Sequence, residues 1–159
     1  MASGREHTKT AFIVGSFGVS IGIIGGSLSF GMMGLGCLFA GYFCSPDMDV
    51  TSLPYNRWGI FRILWRPYRD LLPHRSFWSH TPAIGTAIRV AYCLTLWHIL
   101  LMLFPFVPSY WPLLSYSDAL AMFNEHGIKA MQYAPPGWLF ILGMALNDTL
   151  HWFQDGCPL

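Results

Sequence analysis

The stretch from Ala11 to Cys44 contains no charged residue, and this feature most limits how the chain can fold. A single helix of that length would measure about 50 Å, well beyond the roughly 30 Å hydrocarbon core of a bilayer. Near the middle of the stretch, Gly25 and Gly26 are followed by Ser27, a sequence that permits a tight reversal. Residues 11–44 therefore predict a membrane-embedded helical hairpin, and further glycines in both arms predict close packing of the two helices.

The composition of the whole chain supports a membrane location. It is 53% hydrophobic and only 11% charged, outside the usual range of soluble domains. A net charge of +1 without a basic tract gives no sign of nucleic acid as a partner. The 4 cysteines lack CxxC spacing and are interpreted as free thiols rather than as a thiolate site. The partner that this composition predicts is the lipid bilayer.

Residues 45–85 form the polar part of the chain. Arginine alternates there with tryptophan and tyrosine, a mixture typical of protein segments at the level of the lipid headgroups. We expect an interfacial loop with one amphipathic helix around residues 57–72.

The second half of the chain returns to apolar sequence. Residues 86–107 predict a span, with Arg89 extending its side chain to the interface. Residues 109–136 are predicted to form an outer loop with a short helix, and residues 138–155 a last apolar helix. The expected fold is all-α: one membrane domain over residues 1–159, built as an integral bundle of about four helices.

The distribution of basic residues predicts the orientation of the bundle. The polar segment is rich in arginine, and the N-terminus carries Arg5 and Lys9. Residues 109–137, in contrast, contain Lys129 as their single lysine or arginine. Because positive residues favour the cytoplasmic side, the N-terminus, residues 45–85 and the C-terminus are expected there, at a bacterial inner or thylakoid-type membrane. This topology brings the histidine and aspartate residues of four distant stretches to one face.

The spacing of these residues is suited to metal binding. His151 and Asp155 lie four positions apart and share a helix face, where Asp148 could supply a further oxygen. Asp47 and Asp49 follow a proline at the end of the hairpin.

Two further histidines, His74 and His80, lie between Pro73 and Pro82. This pair is the most specific element of the pattern, because two histidines so close together between prolines are hard to explain by core packing.

Imidazole and carboxylate groups without a thiolate set favour a divalent ion, most simply zinc, with manganese or iron as alternatives. The candidates exceed what one four-coordinate zinc needs, so the site holds either several ions or one ion with a supporting shell. His98, near the middle of a span, is not expected to be a ligand. The predicted ligands are His7, Asp47, Asp49, His74, His80, His151 and Asp155.

Five sequence blocks carry a family resemblance: SGREH, SPDMDV, NRWGIFRILWRPYR, LPHRSFWSHTPAIGTAIR and HWFQD. The chain resembles a bacterial, largely cyanobacterial, family of metal-binding integral membrane proteins. It is also similar to membrane-bound metal-dependent hydrolases of the DNA-damage-regulated type, and more distantly to the zinc-dependent phospholipase C group. The resemblance implies that the ligands are His7, one or both of Asp47 and Asp49, His74, His80, His151 and Asp155.

Two functions remain open from the sequence. In a metal-dependent hydrolase acting on a phosphoester or other ester of a lipid-like substrate, an uncoordinated carboxylate, Asp49 or Asp47, would accept a proton, and Arg75 would neutralise a phosphate oxygen. Alternatively, the metal stabilises a non-catalytic membrane protein, a small subunit of a larger membrane complex or a homo-oligomer. An ion transporter is disfavoured because the spans lack acidic residues.

Overall fold

A computed structural model describes residues 3–74, 76–103 and 135–156. Within these ranges all regular secondary structure is helical, which confirms the all-α prediction for this part of the chain. The α-helices are α1 Gly4–Ile24, α2 Leu28–Phe43, α3 Leu53–Arg57, α4 Arg66–Leu71, α5 Phe77–His80, α6 Pro82–Leu103 and α7 Pro135–Gln154. Two 3-10 segments, Pro46–Asp49 and Gly59–Trp65, lie between them.

Helix α1 begins earlier than the apolar sequence indicated. The hydroxyl of Ser3 accepts a hydrogen bond from the backbone N–H of Glu6, so the helix starts at Gly4 rather than at residue 11. Serine followed three residues later by glutamate is a capping signal that overrides the polarity of the first turn. The earlier start places His7 on the helix, with its side chain buried.

The two arms of the hairpin meet at a glycine turn. Helix α1 ends at Ile24 with Gly25 as its C-cap, and Gly26 has a φ of 62°, a left-handed conformation that glycine adopts without strain. Along the two helices, a Cβ added to Gly34 would overlap the backbone carbonyl of Gly15. Such close contact between backbones is what small residues allow between membrane helices.

Helix α2 is the central helix of the described residues. It packs along α1 on one side and α7 on the other, and α6 packs against α7 and α5. The contact between α2 and α7 is also made through glycine, since a Cβ on Gly36 would overlap the carbonyl of Phe140. The turn that follows α2 is therefore held next to the C-terminal end of α7.

Residues 45–85 do not contain the single amphipathic helix predicted around residues 57–72. Helix α3 ends at Arg57, and the 3-10 segment Gly59–Trp65 and helix α4 occupy the rest of that range. The physical reason is local: Pro54 and Pro67 each begin a new helix, and Gly59 has a φ of 55°.

An aromatic cluster fixes this segment to the bundle. The ring of Trp65 is fully buried and makes edge contacts with Trp58 and Tyr68, with ring centroids 5.4 and 5.6 Å apart. The hydroxyl of Tyr92 on α6 donates a hydrogen bond to the Leu64 carbonyl. Burial raises the pKa of Tyr68 to about 12, although the nearby Arg89 lowers it, so this phenol stays neutral.

The last two long helices also differ from the predicted bounds. Helix α6 begins at Pro82 rather than at residue 86, and α7 spans Pro135–Gln154 rather than residues 138–155. In both cases proline occupies the first turn, where its missing N–H costs nothing. The predicted outer loop with a short helix, residues 109–136, lies almost wholly outside the described residues.

Three helical segments are long and apolar enough to cross a membrane: Gly4–Ile24, Leu28–Asp49 and Pro82–Leu100. Large apolar side chains project outward from them; Phe17 is 67% exposed and Ile24 is 87% exposed. Helix α7 is not among these three segments. The described residues thus provide three candidate spans, whereas the sequence predicted about four membrane helices.

Candidate metal centre

One end of the bundle collects the polar side chains of distant stretches. The start of α1, the turn after α2, helix α5 just before α6, and the end of α7 all meet there. The side chains that this arrangement brings together are those of His7, Asp47, Asp49, His74, His80, His151 and Asp155.

The start of α1 and the end of α7 contribute one half of this histidine–aspartate cluster. His7 Nε2 lies 3.3 Å from Asp155 Oδ1, and His151 Nε2 lies 3.4 Å from Asp155 Oδ2. The imidazole rings of His7 and His151 stack with their centroids 3.8 Å apart. One carboxylate therefore faces two histidines that are brought together by the packing of the α1–α2 hairpin against α7.

Asp47 connects this half to the other. Its Oδ1 lies 3.3 Å from His151 Nε2 and 3.7 Å from His80 Nε2. The hydroxyl of Ser45 accepts a hydrogen bond from the backbone N–H of Asp47, and Pro46 starts the 3-10 segment. This local capping fixes the carboxylate between two imidazoles.

Asp49 contacts the two histidines of the other half, His74 and His80. Its side chain is fully buried, and Oδ1 accepts a hydrogen bond of 2.9 Å from His74 Nδ1. Oδ2 lies 3.6 Å from His80 Nδ1. The His74 side chain is 41% exposed, so this pair extends from the buried interior to the rim of the cluster.

The Nδ1 atoms of two histidines are bound by neutral groups outside the cluster. His7 Nδ1 lies 2.8 Å from Gln154 Oε1, and the Gln154 amide in turn donates to Thr10. His80 Nδ1 lies 2.8 Å from Ser79 Oγ, a hydroxyl positioned to donate to the Ser76 carbonyl. In each case an Nδ1–H is donated outward, which leaves the Nε2 lone pair directed at the carboxylates, the arrangement expected of a metal-ligating histidine.

The residues therefore fit a divalent ion. His80 Nε2 and His151 Nε2 are buried and have no hydrogen-bond partner among the described residues. An Nε2 lone pair facing a carboxylate oxygen places two acceptors against each other, a contact that is favourable only when a cation or a proton lies between them. Two ligand atoms about 2.1 Å from a tetrahedral ion lie about 3.4 Å apart, close to the observed separations of 3.3 to 3.7 Å.

The ligand atoms form three overlapping groups, each with its atoms within 4.8 Å of one another. The groups are His7, Asp47 and His151; Asp47, His74 and His80; and His80, His151 and Asp155. Asp49 belongs to none of these groups and instead lies next to the Nδ1 atoms of His74 and His80. Whether each of these residues binds metal remains a prediction.

Asp148 does not contribute the further oxygen expected from its spacing. Its carboxylate is buried in an ion pair with Arg89 and accepts a hydrogen bond from the hydroxyl of Thr86. Arg89 is itself fully buried rather than extended to the interface, and it donates to the carbonyl of Ser79 at 3.0 Å. The Arg89–Asp148 ion pair thus joins α6 to α7, and Arg89 contacts α5 at Ser79, the residue before His80.

Some predicted residues lie elsewhere. Arg75, the proposed phosphate-binding residue, is outside the described residues, although its neighbours His74 and Ser76 border the cluster. His98 is exposed on α6 and belongs to none of the three groups. Sequence reasoning missed the roles of Gln154 and Ser79; each lies next to a predicted ligand, but adjacency in sequence does not reveal a contact.

The fold and the cluster together define a helical protein with candidate membrane spans and a histidine–aspartate centre suited to a metal ion. The chain belongs to the family described as "Uncharacterized metal-binding protein (DUF2227)", whose model matches residues 2–158. This membership confirms the prediction of a metal-binding protein.

A relative from Aquifex aeolicus (strain VF5), described as "Uncharacterized protein", is 33% identical over 130 residues. The matched region covers 77% of this chain and 86% of the relative. No solved structure matches the chain.

Proposed function

We propose that this protein is a membrane-bound, metal-dependent hydrolase that cleaves a phosphoester or other ester of a lipid-like substrate at the membrane surface. The observation that supports this most directly is the set of buried Nε2 atoms facing carboxylate oxygens at 3.3 to 3.7 Å around Asp47 and Asp155. This donor set, imidazole plus carboxylate, suits zinc, with manganese or iron as alternatives.

The donor set would hold two ions, with Asp47 as a ligand of both. The group of His7, Asp47 and His151 and the group of Asp47, His74 and His80 have only Asp47 in common. A carboxylate with two oxygens can serve both groups, and the remaining ligand, Asp155, contacts His7 and His151. Two divalent ions held in this way would acidify a water molecule and neutralise negative charge on the ester.

The remaining residues also have proposed roles. Asp49 uses Oδ1 to hold His74, while its Oδ2 has no hydrogen-bond partner among the described residues. Because Asp49 belongs to none of the three ligand groups, it is retained from the sequence as the carboxylate that would accept a proton from the attacking water. Gln154 and Ser79 fix the ring orientations of His7 and His80. Arg75 is retained from the sequence as the residue that neutralises a phosphate oxygen.

The accessibility of the cluster supports catalysis over a closed structural site. The side chains of His80 and Asp49 are fully buried, whereas those of His74 and Asp47 are 41% and 15% exposed. A catalytic metal site keeps one side open to substrate, while a structural site is closed by its ligands. The open side lies at His74, so we propose that the substrate approaches there.

We further propose that the cluster lies at the cytoplasmic face of a bacterial inner or thylakoid-type membrane. The arginine-rich residues 53–71 lie at the same end of the bundle as the metal ligands, and positive residues favour that side. Labelling of single cysteines introduced at Arg5 and at Lys9 in intact cells tests the side. Protection from a membrane-impermeant thiol reagent is expected, and full labelling would place the cluster on the opposite face.

The second candidate function is a metal-stabilised protein without catalysis, either a homo-oligomer or a small subunit of a membrane complex. One observation favours it: the ligands lie between positions 7 and 155, so a bound ion would crosslink nearly the whole chain. It predicts stoichiometric metal and chelator-sensitive stability without hydrolysis.

The deciding experiment compares His80→Ala with His98→Ala in detergent-purified protein. His80 faces Asp47, whereas His98 is exposed on α6 and outside the cluster, so the two variants differ in location but not in chemistry. Metal content by elemental analysis and hydrolysis of bis(p-nitrophenyl) phosphate and of a short-chain phospholipid are measured. We expect His80→Ala to lose metal and activity and His98→Ala to keep both.

Two results would count against the hydrolase. Unchanged turnover in His80→Ala would remove the cluster from the reaction. Stoichiometric metal in the wild type, with no cleavage of either substrate and a melting temperature that falls on chelation, would favour the non-catalytic alternative.

A further inference from the structure

A basic surface lies outside the metal centre. Residues of α3, the 3-10 segment Gly59–Trp65 and α4 line a groove of about 610 Å³. Three of its side chains are arginines, and the lining, among the described residues, includes no acidic side chain. The residues that matter here are Tyr55, Ile60, Arg62, Ile63, Arg66 and Arg69.

The guanidinium groups of this groove are incompletely neutralised. Arg62 donates to the side-chain oxygen of Asn56, and Arg69 lies over the ring of Tyr55 at 5.3 Å, so both contact neutral partners. Arg66 contacts Asp70 at 3.9 Å in an exposed pair, which contributes little and leaves the arginine available. Three like charges around one cavity favour an anionic ligand, and a phosphate accepts hydrogen bonds from several guanidinium groups.

Apolar side chains border the same groove. Ile60 is 83% exposed and Ile63 is 66% exposed, and Phe61 between them is 60% exposed. Consecutive exposed residues of this kind are uncommon next to water and mark an interaction surface. Arginines beside exposed apolar groups match a ligand with a phosphate at one end and hydrocarbon at the other.

Two contacts attach the groove to the bundle, near the end of the candidate span Leu28–Asp49. The indole N–H of Trp58 donates to the carbonyl of Phe43, the last residue of α2, at 2.7 Å. Trp65, in the same segment, is fully buried against Tyr92 of α6. The end of a membrane helix lies at headgroup depth, where arginine and aromatic residues contact lipid phosphate.

From these observations we infer that the groove between α3 and α4 binds the phosphate headgroup of an anionic phospholipid, with its acyl chains over Ile60 and Ile63. The inference rests on the proposed membrane location but not on hydrolysis. Because α3 and α4 both pack against the turn that carries Asp47 and Asp49, a bound lipid would also hold the metal centre at the level of the headgroups.

The experiment measures lipid retention, so it is independent of activity. Delipidated full-length protein in a non-ionic detergent is titrated with phosphatidylglycerol or with phosphatidylcholine of the same chain length, and bound lipid is counted by native mass spectrometry. We expect one molecule of phosphatidylglycerol to bind per protein. Its affinity should be at least tenfold higher than that of phosphatidylcholine. Arg66→Gln and Arg69→Gln should each weaken that binding about fivefold.

Arg5→Gln is the matched control, because Arg5 is exposed at the same end of the bundle but outside the groove. It removes the same charge and should leave phosphatidylglycerol binding unchanged. Equal weakening by Arg5→Gln and Arg66→Gln, or equal retention of the two lipids, would overturn the inference. So would displacement of phosphatidylglycerol by an equal concentration of inorganic phosphate, since the groove would then bind free phosphate rather than lipid.

Discussion

Arg89 and Asp148 form a buried ion pair that joins α6 to α7 behind the metal centre. Both side chains are almost completely inaccessible to solvent. Arg89 also donates to the carbonyl of Ser79, whose hydroxyl contacts the ring of His80. The position of a predicted metal ligand therefore depends on an ion pair between two helices that are distant in sequence.

The first prediction concerns this pair. Asp148→Asn removes the negative charge and leaves the Arg89 guanidinium buried without a counterion, which costs about 3–5 kcal/mol. For a chain of this size that loss lowers the melting temperature by roughly 10 °C. Thermal unfolding in detergent measures it, with Asp70→Asn as the control, because Asp70 pairs with Arg66 at the surface. Similar melting temperatures for the two variants would show that the buried pair is not needed for stability.

The second prediction concerns Ser79 and the orientation of His80. Ser79→Ala removes the oxygen that accepts the Nδ1 proton, so the ring is free to rotate and to change tautomer. Loss of such a supporting contact lowers metal affinity about 10- to 100-fold. Competition with a metallochromic chelator measures the affinity, and Ser20→Ala, at an exposed position on α1, is the control. Equal affinity in both variants would contradict a role for Ser79.

Much of the fold could be predicted from local sequence. The charge-free stretch and the adjacent Gly25 and Gly26 were sufficient to predict two helices and a reversal, and composition predicted an all-helical chain. The apolar pattern does not predict the start of α1, because the Ser3 and Glu6 cap begins the helix within polar sequence. The division of residues 53–71 into short helices was likewise indicated by Pro54, Gly59 and Pro67, each of which interrupts a continuous helix.

The candidate site could be predicted less completely. Helix direction and spacing were enough to expect His7, Asp47 and His151 at one end of the bundle. Spacing alone does not distinguish Asp148 from Asp155, since both lie within about one turn of His151. The difference comes from Arg89, which lies far away in sequence and reaches Asp148 only through the packing of α6 against α7.

The third prediction concerns the contact between α2 and α7. Gly36→Ala and Gly143→Ala each add a methyl group that would overlap a backbone carbonyl, of Phe140 and of Met33 respectively. Because a backbone carbonyl cannot rotate away as a side chain can, the helices must separate, at a cost of about 1–3 kcal/mol or more.

The separation would also move Asp47 away from His151, so both variants should show a lower melting temperature and weaker metal binding. Gly4→Ala is the control, since the added methyl group would meet only the side chain of Leu53 at an ordinary 3.8 Å. If the Gly36 and Gly143 variants bind metal as tightly as Gly4→Ala, the two sides of the cluster do not depend on this contact.

The fourth prediction concerns removal of the metal. The predicted ligands come from α1, the turn after α2, α5 and the end of α7, so an ion bound to them holds the folded chain together but has no equivalent site in the unfolded chain. At a free metal concentration about a thousandfold above the dissociation constant, binding adds about 4 kcal/mol to stability. Chelation should therefore lower the melting temperature of the wild type and of His98→Ala by the same amount. His80→Ala, with an incomplete ligand set, should melt at the lower temperature already and respond little to chelator. A full chelator-dependent decrease in His80→Ala would mean that the stabilising ion binds elsewhere.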